Sequence, residues 1–307
     1  MKIVIAGAGA MGCLFAGLLA GSRHELWLLE KDAGKVDAIR SAGLSIEISG
    51  AEPAVSMPSI TAYAGDAGIA DVLVLLVKAY DTAAAVQAAL PVIGPQTTVL
   101  TLQNGLGNIE AITRAVPQTL LLAGTTAQGA TLLGNGRVRH AGRGETVIGP
   151  LVPEGAVRAH AVQEIFQSAG IPATVAEDIQ PVLWGKLLVN AGINALTAIM
   201  RVKNGRVGDM EPLQAVMRRA VAEGAAVAQR LGISLPYPDP VVRTTEICCA
   251  TAENFSSMYQ DISLGRRTEI DSINGVIVEY ANRLGLPVPV NCMLTRMVHA
   301  LECPSVS

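Results

Sequence analysis

The stretch Gly7-Ala-Gly9-Ala-Met-Gly12 constrains this chain more than any other feature. It follows directly on a short apolar run, Lys2–Ala6, and leads directly into an apolar stretch of helical character, Met11–Ala20. Between a strand and a helix, the spacing G-x-G-x-x-G gives each glycine a task. The first permits a tight turn, the second lets backbone approach a pyrophosphate, and the third lets helix pack on strand. Amide groups at the helix start then face phosphate oxygens. Gly7, Gly9, Ala10, Met11 and Gly12 are therefore the residues expected to line a dinucleotide. Glu30 closes the next apolar run, Glu25–Glu30, at about the 20-residue distance where an acid takes the adenosine ribose hydroxyls of NAD. Lys31 follows at once and would attract the 2′-phosphate of NADP, so the pair leaves NADP(H) open while Glu30 favours NAD(H).

Beyond the loop, short apolar runs alternate with helical patterns. Val72–Val77, Thr98–Leu102 and Leu120–Gly124 read as further strands, and Ala33–Ala42, Thr82–Leu90 and Ile109–Val116 as helices. Such alternation predicts βαβ units and a parallel sheet. The Gly-rich segment 130–149 reads as a hairpin closing this part. From about Asp178 strand patterns cease, and long helices follow, punctuated by Leu235-Pro-Tyr-Pro-Asp-Pro240 and Leu286-Pro-Val-Pro289. The expectation is an α/β chain: a Rossmann dinucleotide-binding domain over 1–177 and an all-helical, substrate-binding domain over 178–307.

Charge and composition remove several functional classes. The net charge is −3 with scattered Lys and Arg, unlike the basic footprint of a nucleic-acid binder. Five cysteines without a C-x-x-C pair suit reduced thiols in a cytoplasmic compartment, and four dispersed histidines predict no metal site. Ile3–Ser22 is uncharged and long enough to span a bilayer, but five glycines and a run of only strand length before Gly7 speak against a membrane segment. A homodimer is left open.

In the second half, Lys186, Asn190 and Asn194 recur at i, i+4, i+8 on an otherwise apolar helix and share one face. Burying an ammonium and two amides is costly without partners, so the stripe fits a wet cleft or ligand site. A desolvated lysine there has its pKa lowered toward neutrality, as a general acid for an alkoxide requires. A lysine reaching to the surface beside two capped asparagines fits the same pattern. Downstream, Asn254, Ser257 and Asp261 are expected to share a face, and Glu269 to open a helix; alone, both patterns also suit capped or solvated helices.

At these residues the sequence resembles the ketopantoate reductase family, in an ordered series covering nearly the whole chain. The blocks are Gly7-x-Gly-x-x-Gly12, Lys78-Ala79, Asn104-Gly-x-Gly107, Gly124-Thr-Thr126, Trp184-x-Lys-Leu-x-x-Asn190-x-x-x-Asn194-x-Leu-Thr-Ala198, Ser256-Ser-Met-x-Gln-Asp261 and Thr268-Glu-Ile-Asp-x-Ile-Asn-Gly275. The resemblance implies a Rossmann domain followed by a helical one, and NAD(P)H-dependent reduction of 2-dehydropantoate, a small-molecule 2-oxo acid, to (R)-pantoate. It implies Lys186 as proton donor and Glu269 as a second catalytic acid. It further implies Asn190, Asn194, Asn204 and Ser257 as substrate contacts, and Lys78, Asn104 and Ala130 as cofactor contacts. One departure stands out: relatives using NADPH usually carry Arg where this chain has Lys31, preceded by a neutral residue where it has Glu30. An acid there is similar to NAD-dependent D-2-hydroxyacid dehydrogenases such as D-mandelate dehydrogenases. Two alternatives thus accompany the main expectation: such a dehydrogenase acting on another branched or aromatic 2-oxo acid, and a non-catalytic dinucleotide sensor.

Overall fold

The computed structural model describes residues 1–48, 50 and 52–303. The chain divides into two compact units: Met1–Gln103 with Asn108–Ile179, and Asn104–Gly107 with the chain from Gln180 onward.

In chain order the strands of the first unit are β1 (Lys2–Ala6), β2 (Glu25–Leu29), β3 (Leu44–Ile48), β4 (Ala54–Ser56), β5 (Ser59–Thr61), β6 (Val72–Leu75), β7 (Thr98–Thr101), β8 (Leu121–Thr126), β9 (Gly129–Gly134), β10 (Arg137–Gly142), β11 (Thr146–Pro150) and β12 (Ala173–Val175). Its helices are α1 (Ala10–Leu19), α2 (Ala33–Ala42), α3 (Thr82–Ala89), α4 (Asn108–Thr113) and α5 (Ala156–Ser168). Six parallel strands run in the order β5-β2-β1-β6-β7-β8, so the winding reverses between β1 and β6, the doubly wound pattern of dinucleotide-binding folds. β6 and β7 are buried along their whole length, as central parallel strands are. The expected parallel sheet is extended at its far edge, where β11 lies antiparallel to β8 and β12 parallel to β11. The expected hairpin is β9–β10, but β11 leaves it for the main sheet, and α5 and β12 follow before the unit ends.

The hairpin joins β3 and β4 in a second, four-stranded sheet, β4-β3-β10-β9, that the sequence did not announce. This sheet explains α1. A helix that is apolar all round must be covered all round, and α1 packs against both sheets, burying Cys13, Leu14, Phe15, Ala16 and Leu19. A Cβ at Gly17 would stand 2.2 Å from Ile46 Cδ1 of β3, so the helix reaches this sheet only with glycine there. Phe15 meets Phe166 of α5 with ring centroids 5.5 Å apart.

The second unit is helical throughout its described residues: α6 (Gln180–Met200), α7 (Asn204–Asp209), α8 (Glu211–Arg230), α9 (Pro240–Ala250), α10 (Ser257–Ser263), α11 (Val276–Leu284) and α12 (Pro289–Glu302). A π-helical turn, Asp271–Gly275, runs directly into α11. The two Pro-rich stretches fall where expected, between α8 and α9 and between α11 and α12; Asp239 caps α9 by accepting from Val241 and Val242 N–H. α6 is the axis of this unit. It is long and apolar enough to cross a membrane, yet 72% of its most apolar window is buried against neighbouring helices, as in a core helix. Small residues permit that packing: a Cβ at Gly192 would meet Val221 Cγ2 at 2.8 Å and Thr244 Cγ2 at 3.0 Å.

Candidate active site

In the first unit, the glycine loop sits where the winding reverses. Gly7 takes φ +101°, and a Cβ there would lie 2.8 Å from Val77 Cγ1, just past β6. Its N–H donates to the Leu29 carbonyl at 2.8 Å, tying the loop to β2. A Cβ at Gly12 would fall 1.8 Å from the Gly7 carbonyl oxygen, so the turn closes only with glycine at both ends. Gly9 differs: a Cβ there meets nothing within 4 Å. It caps α1, and beside it backbone can be approached closely at the start of a ten-residue helix whose first amides are Ala10 and Met11. These residues fit a dinucleotide pyrophosphate.

Glu30 follows β2 and is 8% exposed, too buried for an idle surface charge. Its carboxylate accepts from Ala8 N–H and Asp32 N–H, both at 3.0 Å, and pairs with Lys35 Nζ at 3.4 Å. Lys31 is turned outward and paired with Asp81 Oδ2 at 3.1 Å. Lys35, missed from sequence, is thus the cation that touches Glu30. Only its place in the first turn of α2, behind the Asp32 cap, could have signalled that. Lys78 stands half-buried just after β6, and Ala130 lies half-buried in β9 opposite His140.

In the second unit, α6 carries the polar stripe at helical spacing. Lys186 and Asn190 are half-buried and Asn194 is buried among Ala191, Ile193 and Ala195. Burial pushes the Lys186 ammonium down from 10.5 to about 8, against the opposing pull of the Glu269 carboxylate. Glu269, buried, stands just ahead of the helical run that begins at Ile270, as expected of a residue opening a helix. Asn204 opens α7 and donates Nδ2–H to Thr251 Oγ1 at 3.0 Å, while its Oδ1 is buried with no protein partner. Ser257 is the exposed first residue of α10, and Asp261 is buried in the same helix. The expected face of Asn254, Ser257 and Asp261 is corrected: Asn254 precedes the helix, and its carbonyl accepts from Asn204 N–H at 2.9 Å. The buried hydroxyl beside Ser257 is structural, since Ser256 Oγ caps α10 and accepts from Thr197 of α6 at 2.7 Å. Asn104 is half-buried in the four-residue segment that belongs to this unit. Among the described residues, no group of three or more His, Cys, Asp or Glu side chains could hold a metal ion.

A buried strand–glycine-loop–helix unit and an apolar helix bearing a desolvated lysine are therefore present in one chain. The profile described as "Ketopantoate reductase PanE/ApbA" matches residues 3–153, and "Ketopantoate reductase PanE/ApbA C terminal" matches 178–302. The chain belongs to the ketopantoate reductase family. The 2-dehydropantoate 2-reductase of Halobacterium salinarum is 38% identical over 305 residues, covering 98% of this chain and 99% of that one. Among solved structures, a PanE/ApbA family ketopantoate reductase from Ralstonia eutropha superposes with TM-score 0.89 at 35% identity, covering 98% of each chain. D-mandelate dehydrogenase with NADH and anilino(oxo)acetate superposes with TM-score 0.92 at 31% identity, also covering 98% of each. The family thus includes both reductases named for ketopantoate and a dehydrogenase that holds NADH.

Proposed function

We propose that the chain reduces 2-dehydropantoate to (R)-pantoate, a step toward pantothenate and coenzyme A, with Lys186 as proton donor. The observation that carries this reading is a lysine on an apolar helix with its pKa brought down to about 8 by burial, in the company of Asn190, Asn194 and Glu269. A reduced nicotinamide, when bound, would supply the hydride that the keto carbon takes up. Lys186 Nζ hands a proton to the resulting alkoxide, and lowering its pKa toward neutrality makes it a better donor at working pH. Glu269 keeps the ammonium protonated by favouring its charge. Asn190, Asn194 and Ser257 hold substrate oxygens and so fix its orientation. The orphaned Oδ1 of Asn204 calls for a donor, and a substrate hydroxyl meets that need. Asn104 would hold the nicotinamide end, and Lys78 and Ala130 would line the cofactor with the glycine loop. Five free thiols accord with a cytoplasmic protein.

Glu30 is read as favouring NAD(H). Three of the carboxylate's roughly four acceptor sites are engaged, the weakest by Lys35 at 3.4 Å, so ribose hydroxyls compete with Lys35 alone. Lys31 points outward into solvent beside Asp81, so its pull on a 2′-phosphate is screened. The same carboxylate favours a second reading, a D-2-hydroxyacid dehydrogenase acting on an aromatic or branched oxo acid, like the NADH-bound mandelate enzyme. Measuring kcat/KM for 2-dehydropantoate and benzoylformate with NADH and with NADPH separates the two. The first reading expects 2-dehydropantoate to lead by about tenfold or more, since benzoylformate has no hydroxyl for Asn204. A lead for benzoylformate overturns it, and no turnover of either leaves a dinucleotide sensor.

A further inference from the structure

The π-helical turn Asp271–Gly275 touches three parts of the second unit at once. Ser272 reaches two of them through its backbone: its N–H donates to the Glu269 carbonyl at 3.1 Å, and its carbonyl accepts from Leu106 N–H at 2.9 Å. Two residues on, the fully buried Asn274 donates Nδ2–H to the Ala191 carbonyl at 3.0 Å, in the turn of α6 between Asn190 and Asn194. Asn274 also donates to Asn291 Oδ1 at 3.0 Å, and Asn291 in turn donates to the Ala220 carbonyl at 2.9 Å and to Glu223 Oε2 at 2.8 Å. One widened turn thus braces the Asn104 segment, Glu269 and the asparagine stripe, and is itself fixed to α8 and α12. Single π turns within α-helices recur at functional sites because they aim groups that a regular helix would not.

Gly105 is what lets the Asn104 segment reach this turn. It has φ +79°, and a Cβ there would stand 2.2 Å from the Ser272 carbonyl oxygen and 2.7 Å from its carbonyl carbon. Gly107 provides the contrast within the same segment: its φ is +91°, but a Cβ there meets nothing within 4 Å. Both glycines carry the strain of a left-handed backbone, and only Gly105 also carries the close approach.

We propose that the π turn is the positioning element of the active site, and that Gly105 is the positioning residue that seats the segment carrying Asn104 on Ser272, in register with Lys186 and Glu269. This rests on the reductase reading above. A displacement of about 1 Å in a reacting array costs on the order of a hundredfold in rate. Gly105→Ala is therefore expected to lower kcat for the oxo acid about a hundredfold, to weaken dinucleotide binding because Asn104 moves with it, and to speed hydrogen exchange at the Leu106 amide. Gly107→Ala shares the backbone strain and should lose no more than about fivefold in kcat, with Leu106 exchange unchanged. Should Gly105→Ala fail to fold, Asn274→Leu keeps the shape while removing the donors to Ala191 and Asn291, and should lower kcat with dinucleotide Kd within about threefold. Equal losses in the two glycine variants, or near-normal kcat in Gly105→Ala despite fast Leu106 exchange, overturn the proposal while leaving the reductase reading intact. An unmutated protein without turnover overturns both.

Discussion

The pH dependence of the reaction offers the sharpest test of the Lys186 assignment. The lysine's pKa is brought down to about 8 by burial, and at saturating cofactor kcat/KM for the oxo acid reports the titration of the protein before the oxo acid binds. In the direction of reduction the protonated form is required, so kcat/KM should be level at lower pH and fall tenfold per unit above about pH 8. Near pH 10 the loss is about a hundredfold, whereas a lysine at the ordinary value of about 10.4 would retain most of its activity there. Oxidation of the hydroxy acid needs the neutral amine, so its profile should rise through the same inflection. Glu269 raises the lysine pKa, so Glu269→Gln must move the inflection to lower pH, while Lys186→Ala should lower kcat at least about a hundredfold and erase the inflection. The assay is initial-rate consumption of reduced nicotinamide across the pH range at saturating cofactor. The same depression has a thermodynamic signature. The folded pKa lies below the unfolded value of 10.5, so between the two the unfolded chain holds more protons and stability rises with pH, by up to about 3 kcal/mol. Lys186→Met should flatten that rise in denaturant titrations. A reduction profile level to about pH 10, or an inflection that survives Lys186→Ala, refutes the reasoning.

Two further results are expected in the first unit. Gly9→Ala should leave thermal stability nearly unchanged, because nothing in the protein lies within 4 Å of the new methyl, yet weaken dinucleotide binding; Gly12→Ala, 1.8 Å from the Gly7 carbonyl, should lower Tm by several degrees. Glu30→Gln keeps an acceptor for the backbone amides but removes the charge, and should raise the NADPH-over-NADH ratio of kcat/KM by roughly tenfold, or about 1.4 kcal/mol. A ratio that stays fixed, in a protein already preferring NADPH, means that Glu30 serves only to hold the loop.

How much was legible follows from the range of the interactions. β1, β2, β6, β7 and β8 were readable because each is a largely apolar run flanked by glycine or helix signals; α1 to α3 were placed to within one residue, whereas α4 ends three residues earlier than expected. The small sheet was not, because Leu44–Ile48 becomes a strand through parallel pairing with Arg137–Gly142, far along the chain, and such context outweighs local propensity. The Lys186, Asn190, Asn194 stripe was legible since helical periodicity alone sets its face. The link of Glu30 to Lys35, the break between Asn254 and α10, and the docking of residues 104–107 on Ser272 depend on tertiary placement, which no local pattern carries.

The route of the chain through residues 104–107 bears on how the protein is made. During synthesis the parallel strands β1, β2, β5, β6 and β7 have all emerged when this segment appears, but the carbonyl that receives Leu106 N–H belongs to a turn not yet translated. The segment's hydrogen bond to Ser272 can therefore form only once that turn has been made. The late step is then a long-range closure, slow by its loop entropy. Cutting the chain after Ile179 would give a helical fragment whose Ser272 carbonyl lacks the Leu106 N–H that it accepts from in the whole chain.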